Sequence, residues 1–336
     1  MDYTLDLLDR FQIPIKIKTG PLSLPLNLNI PIDSLPKHYI DNSLRVSNKL
    51  RCTIRYTSVL NRGGYGKILL ANRIDLSGVS QEICVKAPHT ITYSVCPESI
   101  IQWMSSEVLE KAGISGAVPL VYDIFQYAGE TRFSMSYIKG ISCLECICKS
   151  SCLERAFLDV LVQLCFILGC LEEHIHLDHR DLKADNIWIR EEPIAYSIVL
   201  DGRWWSYKSP FQVVILDFGF SCLGDDTGNA IVSLSDGILP RIDPCPKEGR
   251  DLFQFLSSLW SLSQIRDKMG AAFVKEIETL LSYKNKPYVN LMRKTSDVSW
   301  VYLLVSDVEF HHPPLHPLSL LKLLSIKYPD LSIQCE

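Results

Sequence analysis

The chain has 336 residues, 34 of them basic and 38 acidic, for a formal net charge of −4. With 47% hydrophobic and 10% aromatic residues, it carries enough apolar area to offset chain entropy, which excludes intrinsic disorder. The charge balance excludes nucleic-acid binding by bulk positive charge, and the length fits two domains or one large bilobal domain.

Residues 1–50 read as an N-terminal extension. Prolines at 14, 21, 25, 31 and 36 forbid long helices and most central strands there, so this segment is expected to run extended along a core or to await a partner. The start, MDYTLDLLDR, is acidic and lacks a basic region followed by an apolar core, so no secretory leader is expected. The longest apolar stretch runs from Val160 to Leu171 and is interrupted by Gln163. A membrane span needs roughly 20 residues, so a buried helix is expected and no membrane span. Twelve cysteines are scattered from Cys52 to Cys335 and are expected as reduced thiols in a cytosol-like compartment.

From Thr53 onward the pattern alternates. Residues 53–60, 67–74 and 81–88 read as three strands of a hairpin series, with a glycine cluster between the first two. Residues 99–113 read as a helix ended by Gly113. Residues 120–127 and 132–138, joined by AGET, read as another hairpin. After Gly140 the character changes. Residues 153–175 have helical period and length, and 187–190 and 213–219 hold short apolar strands. Residues 251–262, 271–283 and 316–328 are helical, the last with Pro317 near its start. A strand-rich part, 51–138, thus precedes a helix-rich part, 139–336. The expected fold class is α+β, with two lobes of different composition and a cleft between them.

Four short stretches carry chemistry. In Leu60-Asn61-Arg62-Gly63-Gly64-Tyr65-Gly66-Lys67-Ile68, three glycines between strands allow backbone N–H groups close to a phosphate; read alone, the stretch is equally a hairpin turn. Ile83-Cys84-Val85-Lys86 ends an apolar run with a lysine able to hold phosphate oxygens, or simply exposed at a strand end. His179-Arg180-Asp181-Leu182-Lys183-Ala184-Asp185-Asn186 puts an acid, a cation two residues on and a carboxamide five residues on in one loop. Phosphoryl transfer uses such a set: a carboxylate for the attacking hydroxyl, a lysine for the γ-phosphate and an amide oxygen for Mg²⁺. Ile215-Leu216-Asp217-Phe218-Gly219 delivers a further carboxylate, a suitable ligand for a hard cation.

In this order, the four stretches resemble the protein-kinase superfamily, over residues 53 to 265 and most specifically through HRDLKADN and DFG. The resemblance implies a bilobal kinase-like fold with a β-rich N-lobe and an α-helical C-lobe, and ATP with Mg²⁺ (or Mn²⁺) as the bound species. By similarity, Gly63, Gly64 and Gly66 cover the ATP phosphates. Lys86 contacts the α- and β-phosphates and pairs with a helix glutamate, for which Glu107 is chosen by its spacing to the following strands and Glu110 is second. Asp181 is the catalytic base, Lys183 steadies the transferring phosphoryl, and Asn186 and Asp217 hold the metal. Ile68, Cys84 and Trp188 sandwich adenine, Met135 is the gatekeeper, and the Ser136 carbonyl and Ile138 amide bond the base. Asp251 braces the catalytic loop.

Lys183 implies the Ser/Thr type and a protein substrate. It also separates this reading from a small-molecule kinase of the same fold, and the retained Lys86, Asp181, Asn186 and Asp217 separate it from a pseudokinase scaffold. Departures from the family pattern are Asn61 at the first glycine, Trp188 in place of a smaller aliphatic, and the stretch 237–251 where an APE triplet is usual. An insertion, residues 191–212, is expected to form a hairpin turning at Asp201-Gly202. These departures resemble divergent kinases of large DNA viruses and haspin-like kinases, which implies an intracellular setting, cytoplasmic or nuclear, or a virion. Asp225, Asp226 and Asp236 are acids able to meet Arg180 without modification, so activity independent of phosphate on Thr227, Ser233 or Ser235 is expected. Cys143, Cys146, Cys148 and Cys152 have metal-like spacing, but on a helix at 100° per residue the first two and the last two lie on opposite sides.

Overall fold

In the computed structural model, which describes residues 28, 30–37, 52–64, 66–90, 93–235, 243–284, 286, 288–295 and 297–336, the chain divides into two compact units. One takes residues 24–107 and 119–138, the other 108–118 and 139–336. The fold is mixed α+β, and its sheets are antiparallel.

The first unit is built on a five-stranded sheet of order β1-β2-β3-β5-β4. Its strands are β1 (Thr53–Arg62), β2 (Gly66–Ile74), β3 (Ser80–Pro88), β4 (Val121–Tyr127) and β5 (Glu130–Ser136). These are the alternating stretches of the sequence, and one face of them buries Ile54, Leu69, Ala71, Ile83, Val85 and Phe125 as a core. Inside this unit the Asp123 carboxylate accepts from Arg73 Nε at 2.7 Å and Ser134 Oγ at 2.8 Å. Among the described residues one α-helix accompanies the sheet, α1 (Cys96–Lys111). It is followed by Gly113 at φ 87°, a left-handed position suited to glycine. Part of the proline-rich extension belongs here too. Leu28, Ile30 and Leu35 are buried, and Pro36 O accepts from Gln126 N at 2.8 Å on strand β4.

The second unit begins with β6 (Ile141–Ser142) and α2 (Cys143–Lys149), then the long α3 (Leu153–Ile175). The apolar stretch from 160 to 171 is the buried middle of α3. No helix among the described residues is long and apolar enough to cross a membrane. Short strands follow: β7 (Leu177–Asp178), β8 (Ile187–Arg190), β9 (Ile194–Leu200), β10 (Arg203–Ser209), β11 (Gln212–Ile215), β12 (Cys222–Gly224) and β13 (Ala230–Ser233). The remaining helices are α4 (Arg250–Trp260), α5 (Ser263–Arg266), α6 (Ala271–Leu280), α7 (Tyr288–Lys294), α8 (Ser299–Ser306) and α9 (Pro317–Lys327). The chain ends in β14 (Gln334–Cys335), which pairs with β10.

The insertion forms the expected hairpin. β9 and β10 pair from Leu200↔Arg203 to Ile194↔Ser209, and Asp201 and Gly202 take φ of 54° and 66°, the left-handed pair that a two-residue hairpin turn needs. Its buried Tyr196, Trp205 and Tyr207 pack their rings on Phe166 of α3. Gln163 of α3 completes the seam, donating to Ser209 Oγ and Phe211 O at 3.1 Å each and accepting from Val213 N at 2.9 Å. Of the four clustered cysteines, Cys143 is buried inside α2, Cys146 and Cys148 are half-buried, and Cys152 is exposed beyond its end.

Candidate active site

The predicted residues fall into two sets, one in each unit. In the first unit, β1 and β2 turn through Gly63 and Gly64, and Gly63 N donates to Gly66 O at 2.9 Å. Only Gly66 is fixed by packing. A Cβ there would stand 2.6 Å from Ala87 O, whereas Gly64 has nothing within 4 Å. Tyr65 lies outside the described residues. Strand register then gathers side chains on one face of the sheet. Ile68 sits opposite Lys86, and Cys84 sits opposite Met135. Cys84 and Lys86 are two residues apart on β3, so they share that face. Burial pushes the Cys84 thiol up to about 11, with Glu82 adding to it, so it is an apolar lining group. Ser136 ends β5, where its Oγ accepts from Leu120 N at 3.0 Å, and Ile138 is buried just beyond it.

The helix glutamate differs from the expectation. Lys86 Nζ meets Glu98 Oε1 at 2.5 Å, and the two residues are 7% and 2% exposed. Glu107 stands nine residues further along α1, about 14 Å by helical rise, and Glu110 lies further still. The apolar periodicity starts the helix at Ser99, which leaves Glu98 outside it. In the structure α1 starts at Cys96 with Pro97 in its first turn. Proline is well suited to that position, because the N–H it lacks has no partner there.

The second unit holds the loop between β7 and β8. Asp181 is buried, and both its oxygens meet Lys183 Nζ, at 3.1 and 3.0 Å. Asn186 Nδ2 donates to Asp181 O at 2.8 Å and to Oδ2 at 3.0 Å. With its nitrogen committed to Asp181, Asn186 offers its oxygen as a hard donor. Asp217 follows β11, whose Ile215 pairs with Ile187 of β8, and Leu216 N donates to Asn186 O at 2.8 Å. That pairing joins the two predicted metal-ligand segments. Trp188 lies on β8 opposite Val214, half-buried. Phe218 is fully buried with its ring centre 5.1 Å from that of His179. Burial lowers the His179 imidazole below its ordinary value of 6.5, and its Nε2 lies 3.0 Å from Leu216 O.

Both Arg180 and Asp217 have φ of 63°. A non-glycine residue in this region costs on the order of 1–3 kcal/mol and persists where its surroundings hold it. Asp251 and Gln254 of α4 hold Arg180. The Asp251 carboxylate accepts from His179 N at 2.7 Å and Arg180 N at 2.8 Å, and Gln254 Nε2 donates to Arg180 O at 2.9 Å. Burial raises the Asp251 carboxyl while the two amides pull it back.

The Arg180 guanidinium corrects a second expectation. Its Nη1 donates to Ser233 Oγ at 2.9 Å and Ser235 Oγ at 3.0 Å, but its acid is Asp243, 3.0 Å from Nη2. Asp225 is turned into its own loop, accepting from Thr227 N and Asn229 N. Asp226 lies 3.4 Å from His176 Nε2, and Asp236 is outside the described residues. Asp243 also meets Lys247 Nζ at 2.5 Å and Arg250 Nη2 at 2.8 Å. Arg250 in turn lies 3.1 Å from Asp178. Burial pushes Asp178 up to about 6 against the pull of Arg250. Three cations and three carboxylates, counting Asp251, thus form one buried charge cluster behind the loop. Asp243, Lys247 and Arg250 carry no signature that the sequence reading could use.

The residue that sequence reasoning missed most completely is Tyr302 of α8. Its hydroxyl donates a hydrogen bond to Asp181 Oδ1.

Compared with models of known protein families and with curated proteins, the sequence matches none.

Proposed function

We propose that the chain is a Ser/Thr-type protein kinase with the bilobal fold of that superfamily, transferring the γ-phosphoryl group of ATP to a protein hydroxyl. The observation that carries this reading is the Asp181 constellation. A buried carboxylate, a lysine on both its oxygens and a carboxamide bound to it are held by backbone amides on a buried helix aspartate. A carboxylate so placed can orient an incoming hydroxyl and take its proton, and Lys183 can stabilise charge on the phosphoryl oxygens.

The donor set suits a magnesium ion. Asn186 and Asp217 supply a neutral and an anionic oxygen, as a small hard cation prefers. When bound, the ion would neutralise charge on the ATP phosphates. In the other unit, the ammonium of Lys86 is matched to phosphate oxygens, and Glu98 keeps it extended. Ile68, Cys84 and Met135 offer an apolar face for a planar base. Protein hydroxyls, rather than a small-molecule acceptor, are favoured by Lys183 two residues beyond Asp181.

Purified full-length chain with γ-labelled ATP, Mg²⁺ and a panel of basic and acidic proteins tests the reading. Label is expected on serine or threonine of an added protein. Lys86→Met, Asp181→Ala and Asp217→Ala should each lower transfer by on the order of a hundredfold or more, the scale of a lost acid–base or electrostatic group. Their combinations should fall little further, because the groups act as a unit. An inert wild type, or full transfer by Asp181→Ala, would overturn it.

A further inference from the structure

Tyr302 brings a hydroxyl of the chain itself to the carboxylate that the proposed chemistry reserves for an acceptor hydroxyl. Its phenol donates to Asp181 Oδ1, 121 residues away in sequence. This is not a loose surface side chain. α8 buries Val301 and Val305 and packs on α4, the helix whose Asp251 holds the backbone of His179 and Arg180. At its C-terminal end, the buried Lys247 ammonium donates to Val305 O at 3.0 Å and Asp307 O at 2.8 Å. Lys247 is itself paired with Asp243, so one charge cluster fixes both the catalytic loop and the helix that carries Tyr302. Near its N-terminal end, Trp300 stacks on Tyr288 with ring centres 5.7 Å apart.

We propose that Tyr302 is a modification site: the chain's own phosphoacceptor, labelled in cis. The proposal rests on the kinase reading above. In the step, Tyr302 Oη bonds to the γ-phosphorus of ATP and the bond from that phosphorus to the β-bridging oxygen breaks. ADP leaves with the electron pair, and the phenolic proton passes to Asp181. The new phosphate carries a charge of about −1.5 to −2 and stands beside the Asp181 carboxylate. Like-charge repulsion then drives the modified side chain away and frees the base for an external hydroxyl. Before that step, an external acceptor competes with Tyr302 for Asp181.

The full-length chain, stripped of phosphate by a phosphatase, is incubated with γ-labelled ATP and Mg²⁺ over a hundredfold range of protein concentration, and phosphopeptides are mapped. Phosphate is expected on Tyr302, at a first-order rate independent of protein concentration, and absent in Asp217→Ala. Tyr302→Phe should lose that phosphate and show a lower KM for an added protein acceptor. Two results overturn the proposal while leaving the kinase reading standing: an added acceptor labelled with Tyr302 unlabelled, or Tyr302 labelled at a rate that rises with protein concentration. Transfer to no acceptor at all would bring down the proposal and the kinase reading together.

Discussion

Replacing Asp243 tests the charge cluster that holds the loop carrying Asp181. This carboxylate, 3% exposed, faces Arg180 at 3.0 Å, Lys247 at 2.5 Å and Arg250 at 2.8 Å. Removing one partner of a buried ion pair costs about 3–5 kcal/mol, because the other charge stays buried without compensation. Asp178 still faces Arg250, so the lower end, about 3 kcal/mol, is expected for Asp243→Asn. Against a total stability of about 5–15 kcal/mol, that is a large fraction. Urea unfolding of the full chain, followed by tryptophan fluorescence, measures it; five of the six tryptophans, the buried Trp205 and Trp260 among them, lie in the second unit. Lys247→Met in the same chain removes one of the stranded cations. The double variant should therefore be more stable than the sum of the single losses by about 1 kcal/mol or more, the coupling typical of groups in one network. A cost for Asp243→Asn below about 1 kcal/mol, or strict additivity in the double variant, would refute the cluster as the loop's support.

Glu98→Gln should lower transfer roughly ten- to hundredfold, the worth of a charge-assisted hydrogen bond, while Glu107→Gln stays near wild type; rates ranked the other way would restore Glu107 as the partner of Lys86. Because Asp243 already supplies the acid facing Arg180, a Ser/Thr-specific phosphatase should leave the rate within about tenfold, or 1.4 kcal/mol in barrier. A larger loss, recovered on rephosphorylation of Thr227, Ser233 or Ser235, would count against this. Burial holds His179 below 6.5, so its neutral form is favoured in the folded chain. Its contribution is present above pH 6.5 and is lost as the pH falls toward the lowered folded value, because the unfolded imidazole binds a proton first. The stability gap between wild type and His179→Gln should therefore narrow from pH 7.5 to 5.5 in urea titrations, and a constant or widening gap would contradict the buried neutral ring.

Most elements were legible in the sequence because the signals that mark them are local. Alternation over 53–88 and the 3.6-residue period of 153–175 depend on neighbours within a few positions, and the structure places β1 to β3 and α3 on those stretches. Asp201-Gly202 was readable for the same reason: a two-residue turn is specified by the two residues in it. Glu98 was not, because the apolar periodicity begins only at Ser99, whereas the helix itself opens at Cys96 with Pro97 in its first turn, a position where proline is favoured. α7 and α8 were missed as well. They are only seven and eight residues long, too short for periodicity to stand out from a loop.

The partners of Arg180 and Asp181 show where local reading stops. Asp225 and Asp226 are acids of the segment after DFG, with the charge to meet Arg180. Yet D-D-T-G-N is itself a turn, in which Asp225 Oδ1 accepts from Thr227 N at 2.9 Å and Asn229 N at 3.0 Å. A carboxylate already engaged by its own backbone has little to offer a distant guanidinium. Asp243 has no such turn of its own, and it pairs with Lys247 and Arg250, four and seven residues later in the chain. Gathering three cations and three carboxylates out of water is no cheap route to stability, since apolar residues of equal volume commonly do as well. What the cluster adds is position. Arg180 is fixed through its guanidinium by Asp243 and through its backbone by Asp251, and Lys247 extends the same restraint to α8. An apolar core would tolerate a shift of the loop against that helix. Paired buried charges do not, because each displaced ion would be left desolvated and unmatched.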